Sequence, residues 1–311
     1  MTRTAAAAIR RHGLWLIALG AGLGILLPAL AATMRPWLLA ISIATMLMAL
    51  LRIEPRAFGE VLRRPRIALL ILGWVTFGVP TLIWLLLAPL LPGGSTWLAA
   101  AVLIGATPSL MSAAAFALLM GADAALLTVV AIPSNLLAPL WLPSVAVLLG
   151  VGAQVEPWAM GQRLALLVGT SFAGAALVIW AIGRPGLRAQ APNIDTMLVG
   201  LVTISAIPCM DGVGTALALR PLDFVAMFGF VLLLNIGLQI MGYLVFRAAP
   251  RRDALSAALV SGTRNNVLLL AAIGPPGESD LGLMIAAAQL ALFVAPALVA
   301  PSYLRLRRPL G

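Results

Sequence analysis

Runs of roughly twenty apolar residues, the length that spans hydrocarbon as a helix, follow one another along this chain, separated by short polar linkers. They fall near 12–31, 36–51, 67–90, 96–120, 123–149, 162–182, 194–215, 222–246, 253–274 and 280–303. The second run is short enough that its helix could start before Pro36. A helix satisfies its own backbone within lipid, so the pattern predicts an all-α polytopic membrane protein of ten spans. The short alternating segments of a membrane barrel are absent. The first run follows Arg10 and Arg11 and could be misread as a secretory signal, but it is long for that role and is read as a span.

Composition agrees with the pattern. Hydrophobic residues make up 62% of the 311 and charged residues 10%, against about 25% charged in an ordinary soluble chain. The net charge of +10 comes from twenty basic residues, all arginine, and ten acidic ones. They lie between the apolar runs, where anionic lipid and topology account for them better than nucleic acid does. One cysteine, Cys209, and one histidine, His12, exclude an intrachain disulfide, a cysteine cluster and a histidine-rich metal or haem site.

Arginine placement assigns the sides. With the N-terminus inside, sixteen arginines fall in inside segments and three, Arg35, Arg163 and Arg220, in outside ones. Arg264 lies within a span. Both termini are expected in the cytoplasm of a multi-pass protein of a cell membrane such as a bacterial inner membrane.

Five spans before residue 150 and five after it suggest two halves, 1–150 and 151–311, that enter the membrane from opposite sides. Span 4 is interrupted at "GATPSLMS" (Gly105–Ser112) and span 9 at "SGTRNN" (Ser261–Asn266). Glycine and proline are common in membrane helices, so one break alone means little. Paired breaks at corresponding positions of inverted repeats point to a transporter's binding site. In span 4, Pro108 lacks an N–H, with Gly105, Thr107, Ser109 and Ser112 around it. In span 9, Gly262 is expected to allow the break before Thr263, Arg264, Asn265 and Asn266, and a helix restarting there would offer its N–H groups to an anion.

Other polar residues lie within spans. Ser134 and Asn135 sit in "AIPSNLLAP", where Pro133 and Pro139 are expected to break the regularity; they either line the centre or cap and bond between helices. Asn235 and Gln239 share one face of span 8 and either point inward or serve packing. Asp211 lies near the outer end of span 7. Asp123 opens span 5, where the helix dipole favours a carboxylate. No acid lies in either break, so the central charge is positive. This favours an anionic substrate, or an arginine that replaces a bound cation. The plain alternative is an arginine that snorkels to the surface.

At "GATPSLMSAAAFALLMGADAALLTVVAIPSNLLAPLWLP" (Gly105–Pro143) and "SGTRNNVLLLAAIG" (Ser261–Gly274) the chain resembles the bile acid:sodium symporter family, and the resemblance extends over all ten spans. It implies a core of spans 3–5 and 8–10, in which spans 4 and 9 cross, beside a panel of spans 1, 2, 6 and 7. It implies transport of organic anions, bile-acid-like or smaller carboxylates and sulfonates, usually with sodium. The sodium pattern departs from the family's. Ser112 and Ala113 stand where the family has Ser-Asn, and Ser134-Asn135 where it has Ser-Thr. Val260 replaces a glutamate and Arg264 a glutamine, while Asn265 matches. Sodium sites near Ser112, Ala113, Asn135, Val260 and Arg264 are therefore degenerate, and proton coupling stays open.

The expectation is thus a secondary transporter of an organic anion, not an enzyme, without cofactor or nucleic acid, in contact with lipid and working as a monomer. Its substrate-binding candidates are Pro108, Ser109, Ser112, Ser134, Asn135, Asn235, Gln239, Thr263, Arg264, Asn265 and Asn266. No Walker-type loop is present. A receptor or structural membrane protein is one alternative. An intramembrane enzyme is another, but it would need a nucleophile and base together, and His12 and Cys209 lie on different spans.

Overall fold

The computed structural model describes residues 13–53, 65–111, 117, 120, 122–148, 156–273 and 279–307. The described residues are helical, apart from turns and one isolated antiparallel bridge between Ser109 and Arg264. The helices are α1 (Gly13–Leu26), α2 (Pro28–Met34), α3 (Leu38–Leu51), α4 (Pro65–Gly73), α5 (Val79–Leu87), α6 (Thr96–Ala106) and α7 (Ala124–Leu148). After these come α8 (Pro157–Ala189), α9 (Ala191–Cys209), α10 (Val213–Leu219), α11 (Pro221–Val245), α12 (Arg251–Gly262), α13 (Asn266–Ile273) and α14 (Asp280–Arg307).

Among the described residues, six segments are long and apolar enough to cross a membrane: Pro28–Leu51, Pro65–Leu87, Ala124–Leu148, Pro157–Ala189, Ala191–Leu219 and Pro221–Val245. The surface they present is apolar, with Leu140, Leu148, Trp180, Leu222 and Leu233 exposed, while Asn135, Gln239 and Arg264 are buried. Oil outside and polar groups inside is the distribution lipid requires. The chain is a polytopic helical membrane protein.

Several boundaries differ from the apolar runs. The first helix ends at Leu26, and Pro28 opens the next, because proline at a first helical position sacrifices no hydrogen bond. α7 runs unbroken through Pro133, Pro139 and Pro143, so these prolines do not interrupt span 5. Gly105 and Gly262 lie inside helices. A Cβ on Gly105 would collide with Ile83 Cδ1, and one on Gly262 would meet the Gln239 side chain and the Asn235 carbonyl. Both are glycine for close approach, and the chain breaks after them. Gly183, at φ +74°, does break the chain, dividing the membrane part of α8 from its Arg184–Ala189 end.

α1 packs on α9, and α3 on α8 and α9. In a second group, α11 packs on α12 and α14, α6 on α5 and α14, and α7 on α4 and α12. Between the groups, α7 meets α8, and α13 meets α3, α8 and α9. Gly20 and Gly24, one turn apart on α1, face the carbonyls of Thr203 and Ile207, one turn apart on α9, so the two backbones nearly touch.

Polar contacts at the helix ends fall into two sets. In one, Arg52 pairs with Asp195, Arg184 Nη1 donates to the Ile53 carbonyl at 2.8 Å, and Arg252 lies 3.7 Å from Asp123. In the other, Arg35 Nη2 donates to the Leu270 carbonyl at 2.8 Å, Arg163 Nη1 to the Ala272 carbonyl at 3.3 Å, and Arg220 pairs with Asp280 at 2.7 Å.

Overpacking a close helix contact costs about 1–3 kcal/mol or more. Gly24→Ile should therefore lower the thermal unfolding temperature in detergent. Gly22→Ile should leave it unchanged, because Gly22 faces open space. Equal effects of the two would disprove the backbone contact.

Candidate functional site

The site begins with helix ends. α6 stops at Ala106 because Pro108 cannot return an N–H to the Ile104 carbonyl; the Thr107 hydroxyl takes that role at 2.7 Å. Thr107 is extended, at φ −60° and ψ 147°. α12 stops at Gly262, and α13 starts at Asn266 with Asn265 Oδ1 accepting the Leu268 N–H at 3.2 Å, an N-terminal cap.

The two breaks then run antiparallel and complete each other. Leu110 N–H donates to the Thr263 carbonyl at 3.1 Å, and Asn265 N–H to the Pro108 carbonyl at 3.0 Å. This is a one-rung piece of sheet between the segments that follow α6 and α12. It satisfies backbone groups that would otherwise lie bare in the hydrocarbon.

A third irregularity lies beside them. Between α4 and α5, residues Trp74–Gly78 form a π turn. The Val79 N–H donates to the Trp74 carbonyl rather than to Val75, as a π turn requires. The next N–H that could serve Val75 belongs to residue 80, which is proline. The Val75 carbonyl is therefore left without an intrahelical donor.

Arg264 collects what the three irregularities set free. Its Nε donates to the Ser261 carbonyl at 2.8 Å, and its Nη1 to those of Val75 and Thr107, each at 3.1 Å. Ser261 lost its helical donor when Asn265 turned to Pro108. Arg264 is 1% exposed, so it does not snorkel to the surface, and no carboxylate among the described residues pairs with it. The carbonyl ends of α6 and α12 both meet here, and helix C-termini favour a cation. Nη2 has no partner among the described residues.

The remaining candidates divide by their contacts. Asn135 Nδ2 donates to the Ser109 carbonyl at 2.9 Å and the Ala131 carbonyl at 2.8 Å, tying α7 to the break. Asn235 Nδ2 donates to the Gly262 carbonyl at 2.7 Å, Gln239 Nε2 to Asn235 Oδ1 at 2.8 Å, and Tyr303 Oη to Gln239 Oε1 at 2.9 Å. This relay braces the end of α12. The Thr263 hydroxyl donates to Leu259 at 2.8 Å, and the Ser134 hydroxyl only to Ala131 within its own helix, at 2.9 Å. Ser109 Oγ and Asn266 Oδ1 are buried without partners among the described residues. Val260 is buried in an apolar cluster with Leu127 and Val130. Ser112, Ala113 and His12 lie outside the described residues. Asp123 Oδ1 caps α7 through the Ala125 and Leu126 N–H groups, as a residue opening that helix should. Asp211 sits in the turn before α10, and Cys209 is buried at the end of α9.

Sequence reasoning missed the Val75 carbonyl, although Pro80 in span 3 signals a freed acceptor. It also missed Trp74, whose Nε1 donates to Ser261 Oγ at 2.8 Å, and the buried Gln289 on α14. No protein-family model matches the chain, and no curated protein matches it.

Leaving a buried carbonyl unpaired costs about 1–3 kcal/mol. Asn135→Leu should lower the unfolding free energy by that amount, while the adjacent Ser134→Ala should cost less than about 1 kcal/mol, because it removes only a local bond. Chemical or thermal unfolding of both variants checks the assignment. A larger loss in S134A than in N135L would refute it.

Proposed function

We propose that this chain is a secondary transporter of an organic anion, of the bile acid:sodium symporter type. It has ten spans in two inverted repeats and works by alternating access. Two broken helices meeting antiparallel around one buried guanidinium carry this reading. Broken backbone at membrane depth is tolerated only where protein, water or ligand receives it, and such helix pairs mark transporter centres.

Two further observations support it. The polar contacts at helix ends group as the ten-span topology requires, since each pair joins segments assigned to one side. The packing also gathers α1, α3, α8 and α9 into one group and α6, α11, α12 and α14 into another, with α7 and α13 in contact with both, which suits a panel moving against a core. The hydrogen bonds of Arg35 and Arg163 to α13 join the two groups on the outer side. This conformation is the one closed to the outside.

Arg264 serves as a cation built into the protein. Its guanidinium fills a ring of carbonyls of the kind that would otherwise hold a hard cation, and Val260 supplies no carboxylate for one. Coupling to sodium is then unnecessary, and the positive centre favours an anionic substrate. Sodium-independent exchange is the functional consequence.

Counterflow in proteoliposomes against a panel of carboxylates and sulfonates tests the reading. Exchange of at least one anion should proceed equally in sodium and in potassium. Arg264→Gln should reduce it at least about tenfold, the scale of losing about 1.4 kcal/mol of binding. Arg264→Lys should retain part, because it keeps the charge but not the planar fork. Absence of exchange across the panel would contradict transport, and strict sodium dependence would contradict the built-in cation.

A further inference from the structure

Beside the guanidinium lies a small cavity within the helix group that holds the crossing, away from α1, α3, α8 and α9. Asn235, Arg264 and Asn266 supply its polar lining, and Ile104, Leu234 and Leu238 form much of its apolar wall. It has room for about one water-sized group. Two of its lining residues each carry a buried polar atom with no partner among the described residues: Arg264 Nη2 and Asn266 Oδ1. Arg264 is 1% and Asn266 3% exposed, so bulk water does not serve them.

Charge decides what fits there. The guanidinium is permanently protonated. The negative ends of α6 and α12 offset it in part, each by about half a charge. The positive end of α13 begins at the same crossing and cancels one of them. Net positive charge therefore remains in a buried site. Among the described residues no carboxylate pairs with Arg264, and the sequence from Gly105 to Gly121 holds no acid. A buried charge without a counter-charge is costly. A water would bond both free atoms but would leave the charge.

The geometry points to a resident monovalent anion of single-atom size, a halide, in this cavity. It accepts from Arg264 Nη2. With the Asn266 amide turned end for end, an orientation that its oxygen and nitrogen do not distinguish by shape, it also accepts from Asn266 Nδ2. The apolar wall suits a weakly hydrated ion, and in this closed conformation the space is too small for sulfate or an organic anion. This site is a counterion site for the folded protein, and it stands whether or not the chain transports an anion.

Thermal unfolding of the purified full chain in detergent tests it. Sodium gluconate is exchanged stepwise for sodium chloride or bromide at constant ionic strength. Wild type should show a saturable rise in Tm, about 2–4 °C at tenfold above half-saturation. Asn266→Asp places a tethered carboxylate at the cavity and should unfold at the same temperature in both salts. Asn266→Leu, which fills the space, should also lose the halide response. Equal wild-type stability in gluconate and chloride would mean that only water occupies the cavity and would overturn the proposal. A halide response unchanged in both variants would place the ion elsewhere and overturn it equally.

Discussion

A backbone carbonyl that loses its helical donor within a membrane has no water to turn to, and the centre of this protein is organised by that constraint. Three carbonyls are released by three separate irregularities: the end of α6, the end of α12 and the π turn before α5. One guanidinium answers all three. Neutral donors serve the neighbouring carbonyls, with Asn135 on Ser109 and Asn235 on Gly262. The one-rung pairing of Ser109 with Arg264 serves the Pro108 and Thr263 carbonyls. Polar side chains that look out of place in an apolar sequence are therefore the condition under which the helices can break.

The same reasoning explains why the glycines at the breaks are not hinges. Gly105 lets α6 lie against Ile83 on α5, and Gly262 lets α12 approach Gln239 and Asn235 on α11. These close contacts bring Val75 and Asn235 within reach of the chain ends that need them. Helix packing and polar satisfaction thus depend on each other: with α5 further away, Arg264 would lose the Val75 carbonyl.

Much of this was legible in the sequence. The helical class follows from apolar run length alone, and Arg264, Asn135 and Pro108 stood out as polar or proline residues where lipid tolerates few. The spans from 221 to 245 and from 124 to 148 lie within a residue or two of their apolar runs. The first helix end is not visible in the apolar pattern, because apolarity continues through Leu27 and Pro28 and only the proline marks the start of α2. The role of Val75 was hidden because a carbonyl has no letter; its sole trace is the Pro80 five residues later. Asn235 and Gln239 were visible as a pair, but their task depends on where α12 ends in space, which periodicity does not convey.

A double-mutant cycle between Arg264→Met and Pro80→Ala tests the central claim most directly. Alanine at position 80 restores an N–H that the Val75 carbonyl can accept. P80A should be nearly neutral in the wild-type background, because a carbonyl has two lone pairs. In the R264M background it should recover part of the lost stability, with a coupling of about 1 kcal/mol, the net worth of one buried hydrogen bond. Strictly additive unfolding free energies would contradict the account, because the guanidinium would then not be holding the carbonyl that Pro80 sets free.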